Sequence, residues 1–151
     1  MTAPEPAAAV QEDIAKGIAR GVSRLLYDMG YAPLTELTLN TGRRVDVAGL
    51  NAAGEIVFVE IKSSVQDYRS DGKWQDYLDY CDRFFFAVAP EFPAELLPDE
   101  TGFILADRFG AAIVRDAPTD KAHGSRRRAV LLRFARTAAG RLLATDDSPL
   151  D

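Results

Sequence analysis

The apolar positions change period along the chain, and each change marks an element. Val10, Ile14, Ile18, Val22, Leu25, Leu26 and Met29 recur at helical spacing, which predicts a helix over 10–29 with one buried stripe. Gly30 is its stop. Residues 34–39 (LTELTL) alternate and read as a first strand, with Glu36 and Thr38 on one face and Leu37 and Leu39 on the other. Residues 44–50 and 55–62 read as two more strands, joined by the small polar turn Asn51-Ala52-Ala53-Gly54. On the later strand Ile56, Phe58, Glu60 and Lys62 share a face, while Val57, Val59 and Ile61 share the other. Both faces are apolar outside the charged positions, so this strand should be covered on both sides.

Beyond it, 63–71 reads as a polar loop. A helix over 72–81, capped by Ser70 or Asp71, should carry Trp74, Tyr77, Leu78 and Cys81 on one face. A buried strand over 83–89 ends at Pro90, and a proline-rich loop with one helical turn covers 90–100. Residues 102–106 and 111–115 form a hairpin. A last helix over 126–145 should bury Val130, Leu131, Phe134, Ala135, Ala138 and Leu142. Residues 1–9 are rich in Ala and Pro and read as a disordered tail. Residues 10–147 are read as one domain, of mixed α/β class.

Three charges interrupt the central strand pair: Asp46, Glu60 and Lys62. A five-residue connection from Asn51 to Glu55 pairs Leu50 with Ile56 and sets Asp46 opposite Glu60; a four-residue connection separates them. Facing carboxylates repel unless a cation or a proton lies between them. The first register therefore suits a hard divalent ion, with Lys62 beside it. The alternative is an ordinary solvated strand face. Glu12 and Asp13 lie off the first helix's apolar stripe and read as solvent-facing, as do Arg20 and Arg24.

Composition removes several chemistries. One histidine and one cysteine cannot build a zinc site of several His or Cys ligands, nor an internal disulfide. No apolar run has the length of a membrane span, and no basic-then-apolar leader opens the chain, so the protein is expected in the cytoplasm. The net charge of −5 is unevenly spread. Residues 121–145 hold seven basic side chains and no acid, which leaves −12 on the rest. That asymmetry points to a polyanionic partner.

Asp46 on one strand, followed after thirteen residues by Glu60-Ile61-Lys62 on the next, resembles the motif of the PD-(D/E)XK nuclease superfamily. Val45 stands where that motif usually has Pro. The segments GRRVDVAGL, VEIKSS, DGKWQDYLDYCDRFFFAV and RFARTAAGRLL resemble the MmcB-like DNA repair family over roughly residues 10–147. The resemblance implies a restriction-endonuclease-like αβββαβ core with a mixed central sheet, an added β-hairpin and a C-terminal basic helix. It further implies Mg²⁺ (or Mn²⁺) on Asp46, Glu60 and the Ile61 carbonyl, with Glu36 as an optional third carboxylate. Lys62 would act on the attacking water or on the phosphorus. DNA, gripped without regard to sequence, is the expected partner, with other repair proteins beside it. Arg43, Arg44, Lys73, Arg126, Arg127, Arg128, Arg133 and Arg136 are the expected phosphate contacts. Two other readings stay open: a catalytically silent nuclease fold acting as a DNA-binding adaptor, and a protein-interaction domain whose arginine helix packs on an acidic partner.

Overall fold

The computed structural model describes residues 6–147. The order is α1 (Pro6–Asp28), β1 (Tyr31–Thr38), β2 (Arg44–Asn51), β3 (Ile56–Lys62), α2 (Val65–Ser70), a 3-10 segment (Trp74–Tyr80), β4 (Arg83–Val88), a 3-10 turn (Ala94–Leu96), β5 (Gly102–Asp107), β6 (Gly110–Arg115) and α3 (Gly124–Asp146). The six strands lie in one sheet in sequence order. β1, β2 and β3 are antiparallel neighbours, β3–β4 and β4–β5 are parallel, and β5–β6 is antiparallel. This is the αβββαβ order expected from the sequence, on a mixed sheet, extended by a hairpin and a final helix.

β3 is buried at every position, as its two apolar faces require. Val57, Val59 and Ile61 pack with Ile18, Val22 and Leu26 of α1 on one side. Ile56 and Phe58 join an aromatic layer of Trp74, Tyr77, Phe84, Phe86 and Phe92 on the other. Cys81 belongs to that second layer, where burial pushes its thiol up, so its role is packing. Gly54 closes the β2–β3 turn at a φ of 83°, which a side chain tolerates poorly. Gly21 lets α1 meet the β5–β6 turn, because a Cβ there would overlap the Asp107 carbonyl.

Several sequence expectations need correction. Residues 6–9 are helical, so the predicted tail is at most residues 1–5, which lie outside the described residues along with 148–151. The loop 63–71 contains α2, capped by Ser64, whose hydroxyl accepts from the Asp67 amide. The helix expected over 72–81 is the 3-10 segment. Its period of three turns Trp74, Tyr77 and Tyr80 inward and leaves Leu78 exposed. The α1 stripe is buried only at its centre; Val10, Ile14 and Met29 are exposed. α3 buries Val130 alone, with Leu131 and Phe134 half-covered and Leu142 exposed. The physical reason is that the aromatic layer already covers that face of the sheet, so α3 packs along its β1 edge.

Candidate metal and phosphate site

The β2–β3 register pairs Leu50 with Ile56 and Val47 with Val59, so Asp46 stands opposite Glu60. There the backbone ladder gives way to side chains. The Asp46 amide donates to Glu60 Oε1 at 3.1 Å, and the Ile61 amide donates to Asp46 Oδ2 at 2.7 Å. Each carboxyl is thereby fixed by the opposite strand's backbone, between the strands. A further break lies on the other side of Asp46. Thr35 pairs with Val47 and Leu37 with Val45, which places Glu36 opposite Asp46. Leu34 and Leu37, an odd number of residues apart, both join the aromatic layer, as do Val45 and Ala48. Strand alternation therefore fails at Glu36 and Asp46, where Glu36 takes a φ of 52°.

Arg141 supports this irregularity from α3, donating to the carbonyls of Thr35 at 2.5 Å and Glu36 at 2.8 Å. Glu36 itself is exposed on the wall of the cleft, so the structure brings it beside the two acids without burying it with them.

Electrostatics set the two buried acids apart from ordinary carboxylates. Burial, followed by the charge of Asp46, pushes the Glu60 carboxyl up to about 8. Burial also raises Asp46, against the pull of the Ile61 amide and Lys62. Both carboxyls are thereby biased toward their neutral forms, Glu60 by burial and the charge of Asp46, and Asp46 by burial. The Lys62 ammonium is buried nearby and donates to Asp71 Oδ2 at 2.8 Å. Burial raises Asp71, but Lys62, the Lys73 amide and Arg43 outweigh it and hold the carboxyl low.

Asp46, Glu60, Ile61 and Lys62 line an open cleft of about 850 Å³. One wall is α1, with Glu12, Lys16, Arg20 and Arg24 along it and the smaller Ala15, Ala19 and Ser23 below. Thr35, Glu36 and Arg44 line the other side, with Asp67 at the end. Among the described residues no three His, Cys, Asp or Glu side chains meet in metal-holding geometry. The donor set is thus two hard carboxylates beside backbone oxygens. That set fits Mg²⁺, which commonly keeps several waters and takes one or two protein carboxylates plus substrate phosphate.

The expected phosphate contacts are scattered. Arg43 is held inside the molecule, 3.4 Å from Asp76, 3.7 Å from Asp71 and over the Tyr77 ring. Arg44 is exposed in the cleft. Lys73 stands at the start of the 3-10 segment and not at the N-terminus of the helix expected there. Arg127 forks onto the buried Asp82 and also donates to the Gly54 carbonyl at 2.7 Å. It ties α3 to the sheet. Arg126 lies over Tyr80. Arg128, Arg133 and Arg136 line a shallow groove of about 360 Å³ on α3, with Arg133 donating to Asn40 at 2.8 Å. Sequence reasoning missed Asp71, because nothing in a polar loop marks one acid as a lysine's partner. Arg20 and Arg24 are exposed, as expected, but the sequence did not show that packing sets them along the cleft that Asp46 and Glu60 line.

Comparison with known proteins agrees with this architecture. The family model described as DNA repair protein MmcB-like matches residues 3–148, and the chain belongs to that family. A protein of unknown function from Silicibacter pomeroyi is 48% identical, with a TM-score of 0.85 over 88% of this chain and 91% of its own. A repair endonuclease from Pyrococcus abyssi is 17% identical, with a TM-score of 0.42 over 72% of this chain and 50% of its own. No curated protein matches the chain.

Proposed function

We propose that the chain is a metal-dependent deoxyribonuclease of DNA repair, hydrolysing phosphodiester bonds at Asp46, Glu60 and Lys62. The observation that carries this reading is the half-buried Asp46 set opposite the buried Glu60, with buried Lys62 lining the same open cleft. A polyanionic substrate could approach two ionised carboxylates only if their charge is countered. Mg²⁺ or Mn²⁺, held by Asp46 and Glu60 with the Ile61 carbonyl and Glu36 as further oxygens, would supply that charge and polarise the phosphoryl group. The backbone amides of Asp46 and Ile61 keep the carboxyls in place, so little reorganisation is needed. Lys62 then offers an ammonium to the attacking water or to the charge growing on the phosphoryl oxygens. The cations around the cleft and on α3 hold phosphates irrespective of sequence.

One observation favours a catalytically silent adaptor instead: among the described residues no three acids converge in metal-holding geometry. Two substitutions decide between the readings. Lys62→Ala opens no apolar cavity and should keep Mn²⁺ affinity, measured by isothermal titration. Its cleavage of labelled single-stranded, duplex, flapped and branched DNA should fall about a hundredfold or more. Asp46→Ala should lose both metal and cleavage. A wild type that binds DNA and cuts none of these with either ion would leave the adaptor.

A further inference from the structure

The cleft carries charges of both signs. Five acids (Glu12, Glu36, Asp46, Glu60 and Asp67) and five bases line it, so its formal charge is balanced. Glu60 is buried and Asp46 half-buried, whereas Lys16, Arg20, Arg24 and Arg44 are exposed, as are Glu12 and Glu36. Lys16, Arg20 and Arg24 are four residues apart on α1, so they form one ridge with a step of about 6 Å along the helix axis. Six ångströms is comparable to the separation of successive phosphates on a nucleotide strand. Arg44 faces this ridge from β2. The side chains of Arg20 and Arg44 make no hydrogen bond or ion pair with another described residue. Lys16 has only an exposed pairing with Glu12 at 3.3 Å, and Arg24 only a long bond to the Arg108 carbonyl at 3.5 Å. Interactions of that kind are weak and readily exchanged for phosphate.

Internal roles do not account for these four cations, in contrast with Arg43, Arg127 and Arg141 of the same chain. Below the ridge the α1 wall is Ala15, Ala19 and Ser23, side chains short enough to leave room for a sugar–phosphate backbone. A cleft of about 850 Å³ is of the size that holds a few nucleotides.

From this arrangement we infer that the α1 ridge and Arg44 form the subsite for the phosphodiester backbone of the nucleic-acid strand lying over Asp46 and Glu60. Lys16, Arg20 and Arg24 take successive phosphates, and Arg44 takes the strand from the opposite side. The groove on α3 is a separate surface for flanking nucleic acid. The inference deepens the nuclease reading and rests on it for the strand's purpose, but the binding itself requires no cleavage. A divalent ion on the acids would turn the balanced cleft net positive, so the same subsite should bind more tightly with metal present.

The test uses the full chain and a fluorescein-labelled oligodeoxynucleotide of roughly 15 nucleotides, single-stranded in one arm and duplex in the other. Anisotropy is followed over a salt series, in EDTA and again with Mn²⁺. Replacing Lys16, Arg20 and Arg24 together by Ala should weaken single-strand binding about tenfold. It should also flatten the plot of log affinity against log salt by about 2, since each lost phosphate contact removes roughly 0.7. Replacing Arg128, Arg133 and Arg136 by Ala should spare single-strand binding and weaken the duplex. A melting curve equal to wild type verifies the fold of each variant, since all six side chains sit on exposed positions. An α1 variant with wild-type affinity and salt slope overturns the inference, as does a wild type that binds neither probe at low salt. Loss of binding in the α1 variant, together with a wild type that never cuts DNA, leaves the subsite standing and removes only the nuclease reading.

Discussion

The role of Lys62 depends on a partner that is neither substrate nor metal. Asp71 holds the ammonium at 2.8 Å, receives the Lys73 amide at 3.1 Å and lies 3.7 Å from Arg43. A flexible lysine so anchored loses its freedom before any substrate arrives, which is the condition for a positioned catalytic group. Asp71→Asn keeps the shape but removes the charge that orients Lys62. Cleavage should slow about tenfold while Mn²⁺ affinity, which the proposed function assigns to Asp46 and Glu60, stays near wild type. The double variant with Lys62→Ala should be no slower than Lys62→Ala alone, because Asp71 would act only through Lys62. Additive losses in that cycle would give Asp71 an independent role. A further residue-scale expectation concerns Glu36, whose φ of 52° places it opposite Asp46. Glu36→Gln preserves the backbone and removes a charge. Weaker Mn²⁺ binding by titration would make Glu36 a ligand, and unchanged binding would make it a wall residue.

Among the elements, β2 and β3 were the most legible from sequence, and α3 the least. The Asn51-to-Glu55 connection fixes the register, and the register alone sets Asp46 against Glu60. No comparable signal announces the break at Glu36, since a left-handed non-glycine residue is stabilised here by a distant arginine, Arg141. The run Arg126-Arg127-Arg128 reads as three equivalent cations, yet the fold makes them different. Arg127 neutralises Asp82, which is 3% exposed and also accepts the amides of Ile56 at 2.7 Å and Ala122 at 2.9 Å. Burial raises the Asp82 carboxyl, and Arg127 with those amides more than offsets this, leaving it low. Arg127→Ala would strand a buried carboxylate. It should cost about 2–3 kcal/mol in urea unfolding, discounted because the guanidinium is partly exposed. Arg128→Ala, with no such partner, should leave the urea midpoint unchanged. Equal midpoints for the two variants would mean that the Asp82 pair does not hold α3 to the sheet.

For the whole molecule, the carboxyl pair links stability to pH in a sense opposite to most acidic residues. Glu60 is pushed from an ordinary value of 4.5 up to about 8 by burial and by Asp46, and Asp46 is raised as well. The folded state therefore retains protons that the unfolded chain releases. The resulting stabilisation is full below about pH 4.5 and is lost as pH rises toward 8. Asp71 and Asp82 act in the other direction, because their lowered carboxyls contribute above about pH 3.8 and lose that contribution on acidification. Between pH 5 and 8 the raised pair governs. Without metal the melting temperature should fall across that window by about 5 °C, a few kcal/mol at most in a chain of this size. Saturating Mn²⁺ should reverse the slope, since an ion on these carboxylates must displace their proton and so binds better as pH rises. Glu60→Gln removes the titrating group and should leave a nearly flat melting profile from pH 5 to 8, with or without Mn²⁺. A wild-type profile that is flat or rising in EDTA would show that the fold does not raise the Glu60 carboxyl. A falling profile that Mn²⁺ leaves unchanged would show that the pair keeps its proton and takes no metal.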